Sequence, residues 1–132
     1  MSHRLNHLVE NLFQLQNYSF QKDVTLQLEN QDCVDISYVL QRPSKIDTNQ
    51  TVDKLGVILQ HDNNPCTHEI ILRAQEVQSD GKLSRIIVVA QDFTPIAKEL
   101  ADKLGIITFN DSELTLVTSL YNLGSQKPSY DA

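Results

Sequence analysis

Asp35 is the side chain best placed to do chemistry in this 132-residue sequence. It lies in an alternating apolar and polar stretch, residues 33–40, that predicts a β-strand. A second apolar stretch, residues 55–61, predicts a buried strand on which Ile58 and Gln60 share one face. If the two strands pair, Asp35 lies beside Ile58 and Gln60. A carboxylate there can bind a metal ion, whereas the simpler interpretation is a strand-edge aspartate paired with a lysine or a backbone amide.

The alternation of the Asp35 strand also predicts which side chains lie on its two faces. Period-two spacing places Asp35 on one face and three apolar residues on the other, namely Val34, Ile36 and Tyr38. The apolar face should point to the core and leave the aspartate accessible.

Glu10 is a second candidate acid. It falls largely outside the apolar stripe of a predicted first helix, residues 2–16, and its simpler interpretation is a solvated residue. His3 and His7 lie one helical turn apart, which suits a metal ion, but with no third ligand we interpret them as surface residues. The two cysteines of the chain belong to no CxxC pair, so we expect no zinc site.

The elements that must position these residues follow from the hydrophobic pattern. After the first helix, residues 20–29 and 33–40 predict a hairpin, residues 41–53 a long polar loop, and residues 54–61 a core strand. A helix capped by Thr67 should follow and close at Gly81.

The C-terminal half continues with strands and helices in alternation. The run RIIVVA, residues 85–90, predicts a strand covered on both faces. Thr94-Pro95 should start a helix that ends at Gly105. A strand at residues 106–109 then precedes a last helix, which Gly124 should end. The order predicts an α/β fold in which helices flank both faces of a central mixed β-sheet.

Composition limits the class of protein. Hydrophobic content of 40% and charged content of 21% are ordinary for one compact domain. The net charge of −6 and pI near 5.0 disfavour tight unspecific nucleic-acid binding by an isolated monomer. A local basic groove completed by a second subunit stays open. The sequence shows neither a signal-peptide core nor a long apolar run, so we expect a cytoplasmic protein with no membrane association.

At this point the chain resembles the Mrr-like branch of the restriction-endonuclease-like, or PD-(D/E)xK, nuclease superfamily. The first helix, LNHLVENLFQL, is similar to a family pattern FExLVAxLL, and Val34-Asp35-Ile36 is similar to its V-D-[IV] strand. The most specific similarity is IIVVAQDFTPIAKELADKLGIITFNDSEL, residues 86–114. The resemblance covers about residues 2–122. It implies a restriction-endonuclease-like fold and a metal-dependent DNA endonuclease ancestry.

The resemblance also assigns catalytic positions. Asp35 matches the metal-binding aspartate, and Glu10 matches the acid often found in the first helix. Ile58 stands where the family has Glu or Gln, and Gln60 stands where it has the lysine. Asp35 and Glu10 are therefore the implied ligands for Mg²⁺ or Mn²⁺. Ile58 cannot bind a metal, whereas the Gln60 amide could still orient a water.

Three functions are consistent with this pattern. The favoured one is a catalytically degenerate nuclease domain that binds DNA or a protein partner. The alternative is an active metal-dependent endonuclease with a rearranged site that uses Asp35 and Glu10. Its further ligands would be Gln60, His61, Asp62 or Glu69. The third is an unrelated α/β binding domain, for which the sequence offers no glycine-rich phosphate loop.

The resemblance also bears on assembly and domain organisation. Related nuclease domains often form dimers, so we expect a homodimer, with the apolar faces of the first and last helices as candidate surfaces. We expect one domain, residues 1–124, followed by a loose tail, residues 125–132.

Overall fold

The computed structural model describes residues 4–29, 31–43, 52–60, 64–81 and 83–126. The elements, in chain order, are α1 (Arg4–Leu15), β1 (Ser19–Gln27), β2 (Cys33–Pro43), β3 (Val52–Leu59), α2 (His68–Asp80), β4 (Arg85–Val89), α3 (Pro95–Leu104), β5 (Ile107–Phe109) and α4 (Asp111–Gln126). This is the predicted order of helices and strands.

The strands form one mixed sheet in the order β1-β2-β3-β4-β5. The first three strands are an antiparallel meander, and β3, β4 and β5 run parallel. Helices α1 and α4 pack together, as do α2 and α3. The structure confirms the predicted α/β fold class, a mixed sheet between two helical layers.

Two apolar clusters lie on the two faces of the sheet. The α2/α3 core contains Ile71 and Val77 of α2, and the α1/α4 core contains Leu5 of α1 and Leu114 of α4. Strand β4 contributes to both, because alternate residues of its apolar run point to opposite faces. Its position between two helical layers explains why the run has no polar face.

The first hairpin changes faces halfway along its length. Val34 and Ile36 of β2 belong to the α2/α3 core, but Tyr38 belongs to the α1/α4 core, so the expectation that all three share a face is wrong. The switch occurs at Ser37, opposite Asp23 of β1. Asp23 has a left-handed φ of 53°, a conformation that aspartate tolerates better than most residues. The outer half of the hairpin, on the turn side of Asp23 and Ser37, is therefore turned over relative to the inner half, which lies on the other side of these two residues.

Gly56 of β3 is closely covered by side chains from neighbouring elements. A Cβ built on Gly56 would lie 2.6 Å from the Cδ1 atoms of both Ile86 and Leu83, and 3.4 Å from Cγ2 of Ile36. Side chains of the hairpin, of β4 and of the segment before β4 thus pack directly on the β3 backbone. Glycine is favoured at this position because a larger residue would displace these contacts.

Most predicted helix ends are confirmed. Thr94 caps α3 by accepting from the Ala97 N–H, and Gly81 and Gly105 adopt left-handed conformations after α2 and α3. The expected end of α4 at Gly124 is wrong, because the helix continues to Gln126. Glycine inside a helix costs only about 1 kcal/mol and does not by itself end one.

The predicted end of the core strand and the predicted tail lie partly outside the described residues. The core strand ends at Leu59, whereas the sequence predicted it through His61, which lies outside the described residues. Residues 127–132 of the expected tail also lie outside them. In the part of the chain that is described, no helix has the length and hydropathy to cross a membrane.

The substitution Gly56→Ala should lower the free energy of unfolding by about 1–3 kcal/mol, because the new methyl group overlaps Ile86 and Leu83. Urea denaturation measures this. In a Leu83→Ala background the same substitution should cost less, since one of the two overlapping side chains is gone. An equal cost in both backgrounds would contradict the packing described for Gly56.

Candidate active site on the first hairpin

Pairing between β2 and β3 ends before it reaches Asp35. The last pair on that side is Tyr38 with Val57. The same register, continued by three residues, would place Asp35 opposite Gln60, but the β2–β3 ladder does not extend that far. Asp35 instead lies in the part of β2 that pairs with β1. The strands pair as predicted, yet pairing does not place Asp35 next to Ile58 and Gln60.

Asp35 is exposed and has a partner on the neighbouring strand. It lies opposite Thr25 of β1, whose hydroxyl donates a hydrogen bond of 3.0 Å to the Asp35 carboxylate. Together with Asp23 and Ser37, the two residues line a shallow pocket in the outer half of the hairpin. The partner is thus a threonine hydroxyl, and among the described residues neither a lysine nor a backbone amide takes that role.

Glu10 belongs to a polar network between α1 and the hairpin. The hydroxyl of Tyr38 donates to the Glu10 carboxylate at 2.6 Å, and the Asn6 side-chain amide donates to the Tyr38 oxygen at 2.7 Å. Lys22 of β1 forms an ion pair with the same carboxylate oxygen at 3.2 Å. Glu10 is therefore a half-buried group with two partners on one carboxylate oxygen, and its interpretation as a solvated surface residue is wrong.

The network changes the ionisation of both central groups. The hydrogen bond from Tyr38 is the main cause that lowers the pKa of Glu10 below its usual range; burial opposes this, and Lys22 adds to the lowering. Burial, followed by the bond to Glu10, raises the pKa of Tyr38 to about 12. At neutral pH the pair is an ionised carboxylate bound to a neutral phenol.

Ile58 and Gln60 occupy the strand and loop positions that the resemblance assigned to catalysis. Ile58 is half-buried and packs against the α2/α3 core. The side-chain amide of Gln60 donates to the backbone oxygen of Asn64 at 2.6 Å, within the loop that leads to α2. Ile58 thus contributes to packing, and Gln60 to the structure of the loop.

The remaining candidate ligands do not join Asp35 in the described structure. Glu69 is exposed in the first turn of α2, and His7 is exposed on α1. His3, His61 and Asp62 lie outside the described residues. Among residues that are described, no three His, Cys, Asp or Glu side chains are grouped so that they could hold a metal ion.

The sequence did not predict Tyr38 and Lys22 as partners of Glu10, or Asn6 as a partner of Tyr38. Tyr38 offered one signal, because a tyrosine inside an apolar strand usually needs a hydrogen-bond partner when buried. Lys22 offered none, since its side of β1 depends on the face switch at Asp23.

Comparisons with known proteins agree with the fold and give no assignment of activity. No model of a known protein family matches the sequence. No curated protein matches it significantly either. The structure is similar to that of a protein of unknown function, AF1548, with a TM-score of 0.61 and 16% identity over 91% of this chain. A structure of EndoMS in apo form gives a TM-score of 0.41 and 14% identity over 83% of this chain. The chain spans 64% and 47% of the lengths of these two proteins.

The lowered pKa of Glu10 makes a prediction about stability and pH. A carboxylate whose pKa is lower in the folded state stabilises that state above its unfolded pKa of about 4.3 and loses this contribution as pH falls. Glu10→Gln should therefore be less stable than the wild type near pH 7, and the difference should shrink as pH is lowered to about 3. Thermal unfolding across this range measures it.

Asp35→Asn is the matched control, because Asp35 is exposed and accepts one hydrogen bond from Thr25. Its stability should differ from wild type by less than about 0.5 kcal/mol. A Glu10→Gln difference that stays constant with pH would contradict the proposed ionisation of the network.

Proposed function

We propose that this chain is a nuclease-like domain with a degenerate catalytic site, which acts by binding a partner and not by cleaving DNA. The observation that carries the proposal is the engagement of Glu10 by Tyr38 and Lys22. A lysine ammonium 3.2 Å from the carboxylate already supplies a neutralising charge, with which a metal ion at Glu10 would have to compete.

The other catalytic positions support the same proposal. Mg²⁺ prefers six oxygen ligands in near-octahedral geometry, usually including carboxylates from adjacent elements. Ile58 offers no ligand and packs into the core, while the Gln60 amide holds the loop at Asn64. Asp35 alone, bound to Thr25, would be a weak metal site.

The charge of the chain favours a protein partner over DNA. The chain has 17 Asp and Glu against 11 Lys and Arg. In the part of the chain that is described, Arg4, Lys22, Lys98 and Lys103 pair with carboxylates of the same chain. A net charge of −6 therefore disfavours the neutralisation of many phosphates. We expect DNA binding, where it occurs, to be weak and strongly dependent on salt, and we expect the domain to act as a homodimer.

The alternative is an active endonuclease with a rearranged site, in which Asp35 and Glu10 hold Mg²⁺ or Mn²⁺. One observation favours it: Lys22 lies beside Glu10, so a lysine is present near this acid although Gln60 replaces the lysine expected on β3. In that arrangement Lys22 would stabilise the negative charge that develops on the phosphate during attack by water.

Incubation of the purified protein with supercoiled, linear and branched DNA, in Mg²⁺ or Mn²⁺, should give no cleavage. Asp35→Ala and Lys22→Ala, prepared in the same way, should be indistinguishable from the wild type in this assay. Gel electrophoresis over several hours measures the products.

Metal-dependent cleavage by the wild type that Asp35→Ala and Lys22→Ala each abolish would overturn the proposal in favour of the rearranged site. Cleavage that survives both substitutions would indicate a contaminating nuclease. Circular dichroism of each variant ensures that a loss of cleavage does not reflect unfolding.

A further inference from the structure

Helix α4 carries an apolar surface that points away from the core. Leu116 and Leu120 lie one turn apart and are 61% and 58% exposed. Leu114 and Thr118, on the opposite side of the same helix, are buried. The helix therefore has one apolar side for its own core and a second, outer one with no partner in the described chain. Leaving two leucines in water forfeits the free energy that burying them would supply.

The outer face of α4 carries little charge. The sequence from Leu114 to Gln126 contains no Asp, Glu, Lys or Arg, although 21% of the whole chain is charged. The other exposed residues of α4 up to Leu120 are Ser112, Glu113 and Ser119, and Glu113 pairs with Lys98. A surface helix normally carries charged residues on its outer side, whereas the centre of an interface is depleted of them.

The two carboxylates at the start of α4 pair with cations of other helices. Asp111 accepts from Arg4 of α1 at 2.9 Å, and Glu113 pairs with Lys98 of α3 at 3.7 Å. Glu113 also accepts from the backbone N–H of Asn110. Both carboxylates are thus tied to other parts of the same chain, which leaves the leucine face free of unpaired charge.

The net charge of the protein favours a second copy of this chain as the partner for this face. Each copy carries a net charge of −6, so contact between two copies through most surfaces brings like charges together. The outer face of α4 avoids that repulsion. Two identical copies need a self-complementary surface, and an uncharged patch of two leucines and two serines satisfies this requirement.

We propose that α4 packs against α4 of a second copy, antiparallel across a twofold axis that passes between Leu116 and Leu120. Each leucine then packs beside the partner's leucines, and the serines allow the helices to approach closely. The antiparallel arrangement also opposes the two helix dipoles. This inference rests on the homodimer expected under the proposed function and names its surface, and its failure is measured independently of DNA cleavage.

The other exposed apolar side chains fit self-association less well. Ile96 of α3 is 65% exposed, but it borders Glu99 and Lys103, which form an ion pair with each other. Leu72 of α2 is 44% exposed and is followed directly by Arg73. Ile96 therefore provides a matched control, an equally exposed apolar residue on the opposite helical layer.

Sedimentation equilibrium or light scattering on the full chain should give twice the 15.0 kDa mass of one copy. Leu116→Glu/Leu120→Glu should weaken self-association at least about tenfold, because the twofold axis brings the introduced charges together. Ile96→Glu should leave the mass unchanged. Circular dichroism checks the folding of each variant, and Leu116→Ser/Leu120→Ser replaces the charged variant if that one unfolds.

Cysteine crosslinking in a Cys33→Ser background distinguishes the proposed arrangement from a parallel one. Ser119→Cys lies next to the proposed axis and should form a covalent dimer on mild oxidation. Ser112→Cys lies six residues from the axis, which places the two copies of the cysteine about 18 Å apart along the helices, beyond disulfide reach. It should not crosslink.

Three results would overturn the proposal. The first is a single-copy mass for the wild type up to about 100 µM. The second is dimerisation that survives both substitutions at Leu116 and Leu120. The third is efficient crosslinking through Ser112→Cys with none through Ser119→Cys.

Discussion

The face switch of the first hairpin at Ser37 and Asp23 is the constraint on which the rest of the structure depends. It lets the inner half of the hairpin cover α1 and the outer half cover α2, so one hairpin closes both cores. It ends the β2–β3 ladder at Tyr38, and beyond that point the Leu59 N–H is satisfied by the Ser37 hydroxyl. It also brings Ile36 close to Gly56 of β3, on which Ile86 and Leu83 pack more tightly.

The same switch decides what the candidate acids can do. Tyr38 is the last residue before the change of face, so its hydroxyl points to α1 and meets Glu10. Asp35 lies beyond the change, in the half that pairs with β1, where Thr25 is its partner. The two acids belong to different local networks, and each carboxylate has partners from the chain. A metal ion would compete with Lys22 at one and with Thr25 at the other.

Features that depend on local chemistry could be predicted from the sequence. The Thr94-Pro95 start and Gly105 end of α3 follow from capping preferences, and the run RIIVVA predicts a strand between two layers. Features that depend on contacts between distant residues could not be predicted. Alternation alone gives no sign of the switch at Ser37, which needs a left-handed Asp23 on another strand. The partners of Glu10 come from β1 and β2, and they reach α1 only after the switch has formed.

The central claim is that Glu10 and Asp35 are held by the chain and not by a metal ion. Titration of the ¹⁵N-labelled protein with Mn²⁺ tests it most directly, because bound Mn²⁺ broadens the NMR signals of nearby amides. The account predicts no saturable broadening centred on Glu10, Lys22 or Asp35 in the millimolar range. Saturable broadening at these residues, lost in Asp35→Asn while the fold is kept, would contradict it.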